Sequence, residues 1–454
     1  MSIVNEPELD RSLDILCEEF RNHTALDPQK ASRYPVKRGL RNEDGSGVMA
    51  GLTNICNVHG YVLNEGEIHP HPGHLTYRGV NVEELVEGVV KDGRFGYEET
   101  AWLLLFGHLP NKEQLDTFCN ILDSCRDLPE YFAEDMIMKA PSPNIMNKMQ
   151  RAVLALYSYD DNPDDLSPKN LLRQSIALLS MLPTITSYAY QVKRRHYDKA
   201  SMFFHPYVPG QSTAETILHT LRADCSYTPE EAHVLDLCLM LHAEHGGGNN
   251  STFASRVLSS SGTDTYSAIA AAIGSLKGPR HGGANIKVIE MLSHIKENVK
   301  DYNDDEEILA FLGKLLRKEA GDRSGLIYGM GHAVYTISDP RATILRKYAG
   351  ELAEKRGFGE DFALLKAVER LAPQAFAAKG ISKTICANVD MYSGLVYHTL
   401  NIPSELYTPL FAVARAAGWC AHRMEEITTG GRIIRPAYKA IAPRAEYVPL
   451  SERD

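Results

Sequence analysis

The sequence contains no Cys-x-x-Cys pair. Its eight cysteines are scattered over 454 residues, and the closest two, Cys119 and Cys125 in "TFCNILDSC", read as buried helix positions. In a chain of this length such usage points to reduced thiols and a cytoplasmic setting, not to a disulfide scaffold. No apolar run reaches the ~18 residues that span a bilayer. The N-terminal stretch "MSIVNEPELDRSLDILCEEF" has neither the apolar core of a signal peptide nor the arginines of a transit peptide. A soluble protein with no membrane partner is expected. Positive charge is in deficit: 48 Lys and Arg stand against 58 Asp and Glu, a net charge of -10. That excludes a broad basic footprint for nucleic acid, so an anionic ligand would need a local cluster of Arg and His. GxGxxG, GxxxxGK[ST], strand–helix alternation and fixed-period repeats are all missing, which argues against dinucleotide, P-loop and solenoid architectures.

What is present is mostly helical. The composition is 44% hydrophobic and 23% charged, an ordinary globular balance, and the length allows two or three domains. "PELDRSLDILCEEFRNH" sets Leu9, Leu13, Leu16, Cys17 and Phe20 on one helical face. "EETAWLLLFGHLP" reads as an apolar helix stopped near Gly107 and Pro110. "SPKNLLRQSIALLSMLPTITSYAYQVKRR" starts on Ser-Pro and is apolar enough to be largely buried. "YTPEEAHVLDLCLMLHAEH" opens with Thr228, Pro229 and Glu231, a capping box with proline at the first helical position. Strand signals are confined to a hairpin near residues 55–80.

Four short segments share an unusual form, a titratable or charged residue held by glycines, prolines or a helix end. They are "LHAEHGGGNNST" with His242 and His245, "GPRHGGAN" with His281, "GMGHAVY" followed by "DPRA" with His332 and Arg341, and "NVDMYSG" with Asp390. Each has a bland reading: a His at a helix end is usually solvated or capping, and an Asp before a helix is usually an N-cap. Histidines in three separate glycine-rich turns make the bland readings less attractive together. A metal reading is the runner-up, from His242 with His245, or from His69, His71 and His74 in "HPHPGH". "HAEH" lacks the third ligand at recognisable spacing that helical zinc pairs carry, and "HPHPGH" sits on a proline-bound loop.

In this order and spacing the four segments resemble those of citrate synthases. The likeness extends through "FAVARAAGWCAHRMEEI" and "RIIRPAY", covering residues 230 to 440, and weakens upstream in "LTYRGVNVEELVEG". The resemblance implies a mostly α fold in which a large helical domain (residues 1–283 and 401–454) and a smaller helical domain (284–400) close over a cleft, in a homodimer. It implies condensation of acetyl-CoA with oxaloacetate and hydrolysis to citrate and CoA, with no metal and no cofactor beyond the CoA substrate. It makes Asp390 the base, His281 the donor to the enolising thioester, and His332 the donor to the oxaloacetate carbonyl. His245, Arg341 and Arg415 become oxaloacetate ligands, Phe411 lies near the acetyl group, and Gly329, Met330 and Gly331 form a loop on CoA. Arg435 completes the neighbouring subunit's site. A 2-methylcitrate synthase using propionyl-CoA shares all of this. A non-catalytic metal- or ligand-binding protein is a more distant alternative.

The chemistry accounts for these residue types. A thioester methyl is too weakly acidic for a carboxylate to deprotonate unless the developing enolate is stabilised as it forms. A neutral imidazole with its proton fixed on one nitrogen does this. "NIKVIEMLSHIKE" after "GPRHGGAN" puts His281 at a helix N-terminus, whose positive end disfavours imidazolium. Gly282 and Gly283 are then expected to let the thioester approach. Arginine forks recognise the two carboxylates of the other substrate, and loop glycines suit hinges for closure.

Overall fold

The computed structural model describes residues 7–64, 67–381 and 384–453. Helices dominate, and among the described residues the one sheet has three strands. By internal contacts the chain divides into two units, residues 1–49 with 435–454, and residues 50–434. Both expected domain boundaries, after 283 and after 400, fall inside the larger unit.

In the smaller unit the first helix, Pro7–Thr24, forms where the periodicity placed it. On its apolar face Leu13, Leu16, Cys17 and Phe20 are all exposed. The side chain of Leu9 lies outside the described residues. The C-terminal stretch of the same unit exposes Tyr438, Tyr447 and Leu450.

The larger unit is organised around helix Tyr407–Thr428, buried continuously from Tyr407 to Arg423. It packs against helices Tyr97–Phe106, Pro168–His196, Pro229–His242, Asn250–Ser259 and Thr265–Lys277. Local signals explain these elements. Ser167 accepts from the Asn170 amide at the start of Pro168–His196. Thr228 and Glu231 form the reciprocal capping box of Pro229–His242. Gly107, in the left-handed region at φ 85°, ends Tyr97–Phe106. Each fully buried Leu, Ile or Phe in these helices contributes roughly 1.5–3 kcal/mol over an exposed one. The cysteine reading needs correction: Cys119 is only half-buried and Cys125 caps the end of helix Lys112–Ser124.

The hairpin comprises β1 (Cys56–Asn64), β2 (Glu67–Tyr77) and the short β3 (Val80–Asn81). β1 and β2 pair antiparallel, Cys56 opposite Tyr77 and His59 opposite His74, with a register shift between His59 and Tyr61. Of the expected Asn-Glu-Gly turn, Glu65 and Gly66 lie outside the described residues. Arg78 and Gly79, both at positive φ, turn β2 into β3. Among the described residues no helix is long and apolar enough to cross a membrane.

Candidate active site

Helix Pro229–His242 ends just before its second histidine, so the "HAEH" pair splits. His242 is fully buried, its ring 4.4 Å from Phe411 and its Nδ1 3.2 Å from the Tyr397 hydroxyl. His245 turns onto a different loop, 4.9 Å from His332 and nearly perpendicular to it. The two do not share a helical face as a ligand pair would. His71 of "HPHPGH" lies on β2 with Nδ1 3.0 Å from the Pro72 carbonyl. Among the described residues no three His, Cys, Asp or Glu are gathered as metal ligands.

Between the two histidines lies Glu244, fully buried. Its Oε1 accepts from the Gly246 amide at 2.5 Å and sits 2.9 Å from His422 Nε2. Arg256 Nε donates to His422 Nδ1 at 3.0 Å, and Arg256 also pairs with Glu425 and Glu426. A donor on Nδ1 leaves the His422 proton on Nε2, facing Glu244. Burial pushes the Glu244 carboxyl up, but His422 and Arg415 outweigh it and hold the group below its ordinary value.

His281 lies in the loop preceding helix Ala284–Asn298, as its sequence context required. The loop closes on itself through the His281 amide to the Gly278 carbonyl, 2.9 Å. His281 Nε2 accepts from the Ser251 amide at 3.3 Å and is 3.0 Å from the Ser251 hydroxyl, which in turn accepts from Trp419 Nε1 at 3.2 Å. A backbone amide can only donate, so Nε2 carries the lone pair and the proton sits on Nδ1. Burial, and after it the Arg415 charge, lowers the imidazole to about 4. His281 is therefore neutral at pH 7, with burial rather than the helix end as the leading cause. A Cβ on Gly282 would meet the Leu276 carbonyl at 2.2 Å and Thr408 at 2.7 Å, so this glycine serves the loop's own packing.

"GMGHAVY" performs a local task that its sequence did not announce. Gly329 and Gly331 take positive φ, 79° and 97°. Between them Met330 makes a backbone bridge with Ala387. The Gly331 amide donates to Cys386, the Asn388 amide to Gly329, and the Asn388 side chain to the Gly331 carbonyl, at 2.7–2.8 Å. The loop thus holds the segment that leads into Asp390. Cys386, Ala387 and Val389 of that segment are buried. Asp390 opens helix Asp390–Thr399 without capping it. Burial raises its carboxyl from 3.8 to about 6, with Arg341 opposing and Asp339 adding to the rise.

His332 Nδ1 accepts from the amides of Val334 and Tyr335, both at 3.1 Å. Its proton therefore belongs on Nε2. Arg341 is buried and forks onto Asp339, Nε at 3.0 Å and Nη2 at 2.7 Å. Arg415 is buried too, with Nε on the His242 carbonyl at 2.6 Å and the guanidinium 4.7 Å over the Phe411 ring. Its Nη1 is buried and has no partner among the described residues. The Arg415 charge acts on His242, Glu244, His245, His281 and Asp390 alike. Segments separated in sequence thus converge on one cation. Arg435 belongs to the smaller unit, where it is exposed.

The family profile described as "Citrate synthase, C-terminal domain" matches residues 44–437. This chain belongs to the citrate synthase family. It is 35% identical to a citrate synthase of Synechocystis over 84% of this chain and 88% of that one. It is 32% identical to a 2-methylcitrate synthase of Shewanella oneidensis, over 84% of this chain and 92% of the relative. Among solved structures, the ternary complex of carboxymethyl coenzyme A and oxaloacetate with citrate synthase from Thermoplasma acidophilum superposes with a TM-score of 0.74 at 25% identity. It covers 92% of this chain and 99% of that one. The mostly α family fold expected from the sequence is the one found.

Sequence reasoning missed Glu244, Ser251, Tyr335, Asp339 and Cys56. Glu244 and Asp339 carried a signal, an acid between two histidines and an acid beside the arginine of "DPRA". Ser251, Tyr335 and Cys56 carried none, because each acquires its neighbours only through folding. The Cys56 thiol, for example, is pushed well up by burial and then by Glu244, 188 positions away.

Proposed function

We propose that this enzyme condenses acetyl-CoA with oxaloacetate and hydrolyses citryl-CoA to citrate and CoA. The observation that carries the reading is the set of protonation states around Arg415. Asp390 has a carboxyl near 6, ionised at neutral pH yet basic for its type. His281 is neutral with its proton on Nδ1, and His332 has its proton on Nε2. Asp390 takes a proton from the acyl methyl group while His281 Nδ1–H donates to the thioester oxygen. The enol carbon attacks the oxaloacetate carbonyl, whose oxygen receives hydrogen bonds from His332 and His245. Arg341 and Arg415 bind the carboxylates, and the unpartnered Nη1 of Arg415 supports that role. Phe411 packs beside the acyl group, and Gly329, Met330 and Gly331 support CoA while holding the Asp390 segment. No metal or cofactor is assigned: Arg341, Arg415 and the imidazole protons supply the positive field.

The same reading includes a homodimer in which Arg435 completes the partner's oxaloacetate site. The exposed Leu13, Leu16 and Phe20 on helix Pro7–Thr24 support association of this kind. It also includes large and small lobes closing over the cleft, residues 284–400 forming the small one, and residence in the cytoplasm, which eight unpaired cysteines favour. The relative from Shewanella oneidensis favours a second reading, with propionyl-CoA as the acyl donor. Thiol release from acetyl-CoA and from propionyl-CoA, each with oxaloacetate, tests both. A higher kcat/KM with acetyl-CoA is expected. Preference for propionyl-CoA transfers the assignment to 2-methylcitrate, and no release from either thioester refutes it.

A further inference from the structure

The β1–β2 hairpin, which has no part in the chemistry above, packs on Tyr335. A Cβ on Gly60 would meet the Tyr335 Cα at 3.0 Å, and one on Gly73 would meet the Tyr335 Cδ1 at 2.8 Å and the Ser338 carbonyl at 2.1 Å. The Gly73 amide donates to Ser338 Oγ at 3.1 Å. Seated in this way, Tyr335 is almost fully buried. Its ring stacks on His332, with centroids 4.6 Å apart and an interplanar angle of 25°. Its amide donates to His332 Nδ1 at 3.1 Å, and its hydroxyl is 3.3 Å from His245 Nε2.

One residue therefore touches both histidines on different atoms. The Tyr335 hydroxyl has no other partner among the described residues. Burial raises the phenol above its ordinary value, so it keeps its proton. If the hydroxyl only accepted from His245, that proton would be buried and unpaired, a cost on the order of 1–3 kcal/mol. The hydroxyl therefore donates, Nε2 of His245 carries the lone pair, and the His245 proton sits on Nδ1. Burial and the neighbouring cations keep His245 neutral, so a single tautomer prevails.

We propose that Tyr335 is a positioning residue for opposite tautomers in the two substrate histidines, setting Nδ1–H in His245 through its hydroxyl and, together with the Val334 amide, Nε2–H in His332 through its own amide, with the hairpin glycines as its seat. The inference deepens the proposed function and rests on it for the word substrate, while the tautomers can be read without any substrate.

The test is long-range 1H–15N correlation on the full-length protein carrying 15N-histidine, with His245→Gln and His332→Gln used for assignment. A bare Nε2 in His245 and a bare Nδ1 in His332 are expected in the wild type. The reverse pattern in either ring overturns the proposal, and this measurement needs no variant at position 335. Tyr335→Phe keeps the ring and the amide and removes only the hydroxyl. It should leave His332 unchanged, mix the His245 tautomers, and raise the KM for oxaloacetate about three- to tenfold with the KM for acetyl-CoA unchanged. An unmixed His245, or an unchanged KM for oxaloacetate in an otherwise active enzyme, counts against it. If the wild type makes no citrate but shows these tautomers, the proposed function fails and the positioning role stands.

Discussion

Replacing Asp390 by asparagine separates function from stability in one residue. The folded protein moves the carboxyl from its ordinary 3.8 to about 6, chiefly through burial. At about 1.36 kcal/mol per pKa unit, ionisation in the fold costs about 3 kcal/mol. Partial exposure of Asp390 trims this to about 2–3 kcal/mol. The sign follows from the direction. A carboxyl raised in the folded state destabilises the fold wherever both states are ionised, above about pH 7. The cost fades as pH falls through 6 and is gone below about 4. The amide of the variant side chain carries no charge to desolvate. The Asp390→Asn variant should thus be more stable than wild type at pH 8, by about 2–3 kcal/mol, and no more stable near pH 4. For 454 residues at ~2.1 cal/mol/K per residue, each kcal/mol moves the midpoint by about 1 °C. Calorimetry should find Tm higher by roughly 2–3 °C at pH 8 at equal protein concentration. Thiol release should fall by about 10²–10⁴ or more, because the base is gone. A variant less stable than wild type at pH 8, or a gain that persists at pH 4, refutes the account of Asp390 as a strained base. Near-normal turnover refutes its role.

The same carboxyl sets the acid limb of the rate profile. kcat/KM should drop tenfold per unit below about pH 6, and a limb near 4, the His281 value, would show that Asp390 is not the base. Glu244 holds His422 and the Gly246 amide, so Glu244→Ala leaves a buried and a part-buried donor without their acceptor and should cost about 2–4 kcal/mol, with Glu244→Gln milder; equal denaturant midpoints for the two variants would contradict this. In the proposed homodimer, Asp390→Asn and Arg435→Ala should each be nearly inactive. Mixed dimers from co-expression carry one intact site, so activity should return to roughly a quarter of wild type; recovery no greater than the average of the two homodimers rules out a shared site.

Much of this protein was legible in the sequence because its signals are local. A capping box at Thr228, a Ser-Pro start at 167 and a glycine stop at 107 act within one helical turn, so they read the same in any context. The order of the "HAEH", "RHGGAN", "GMGHAV" and "NVDMYSG" segments carried the family, since each is a short run of residue types read directly along the chain. The first helix shows where local reading stops: its apolar face was legible, but not that Leu13, Leu16, Cys17 and Phe20 stay exposed.

What only the tertiary structure decided is protonation. The sequence names His281, His332 and Asp390, but the proton on His281 Nδ1 depends on the amide of Ser251, and that on His332 Nε2 on a turn closing at Tyr335. The value near 6 at Asp390 depends on how much protein surrounds it and on Arg341 nearby. Glu244 and His422 meet across 178 residues, and their contact exists only where helix Tyr407–Thr428 passes the end of helix Pro229–His242. Desolvation and Coulomb terms fall off over a few ångströms of space and are indifferent to distance along the chain. The residue types at the site could therefore be read in advance, and their ionisation states could not.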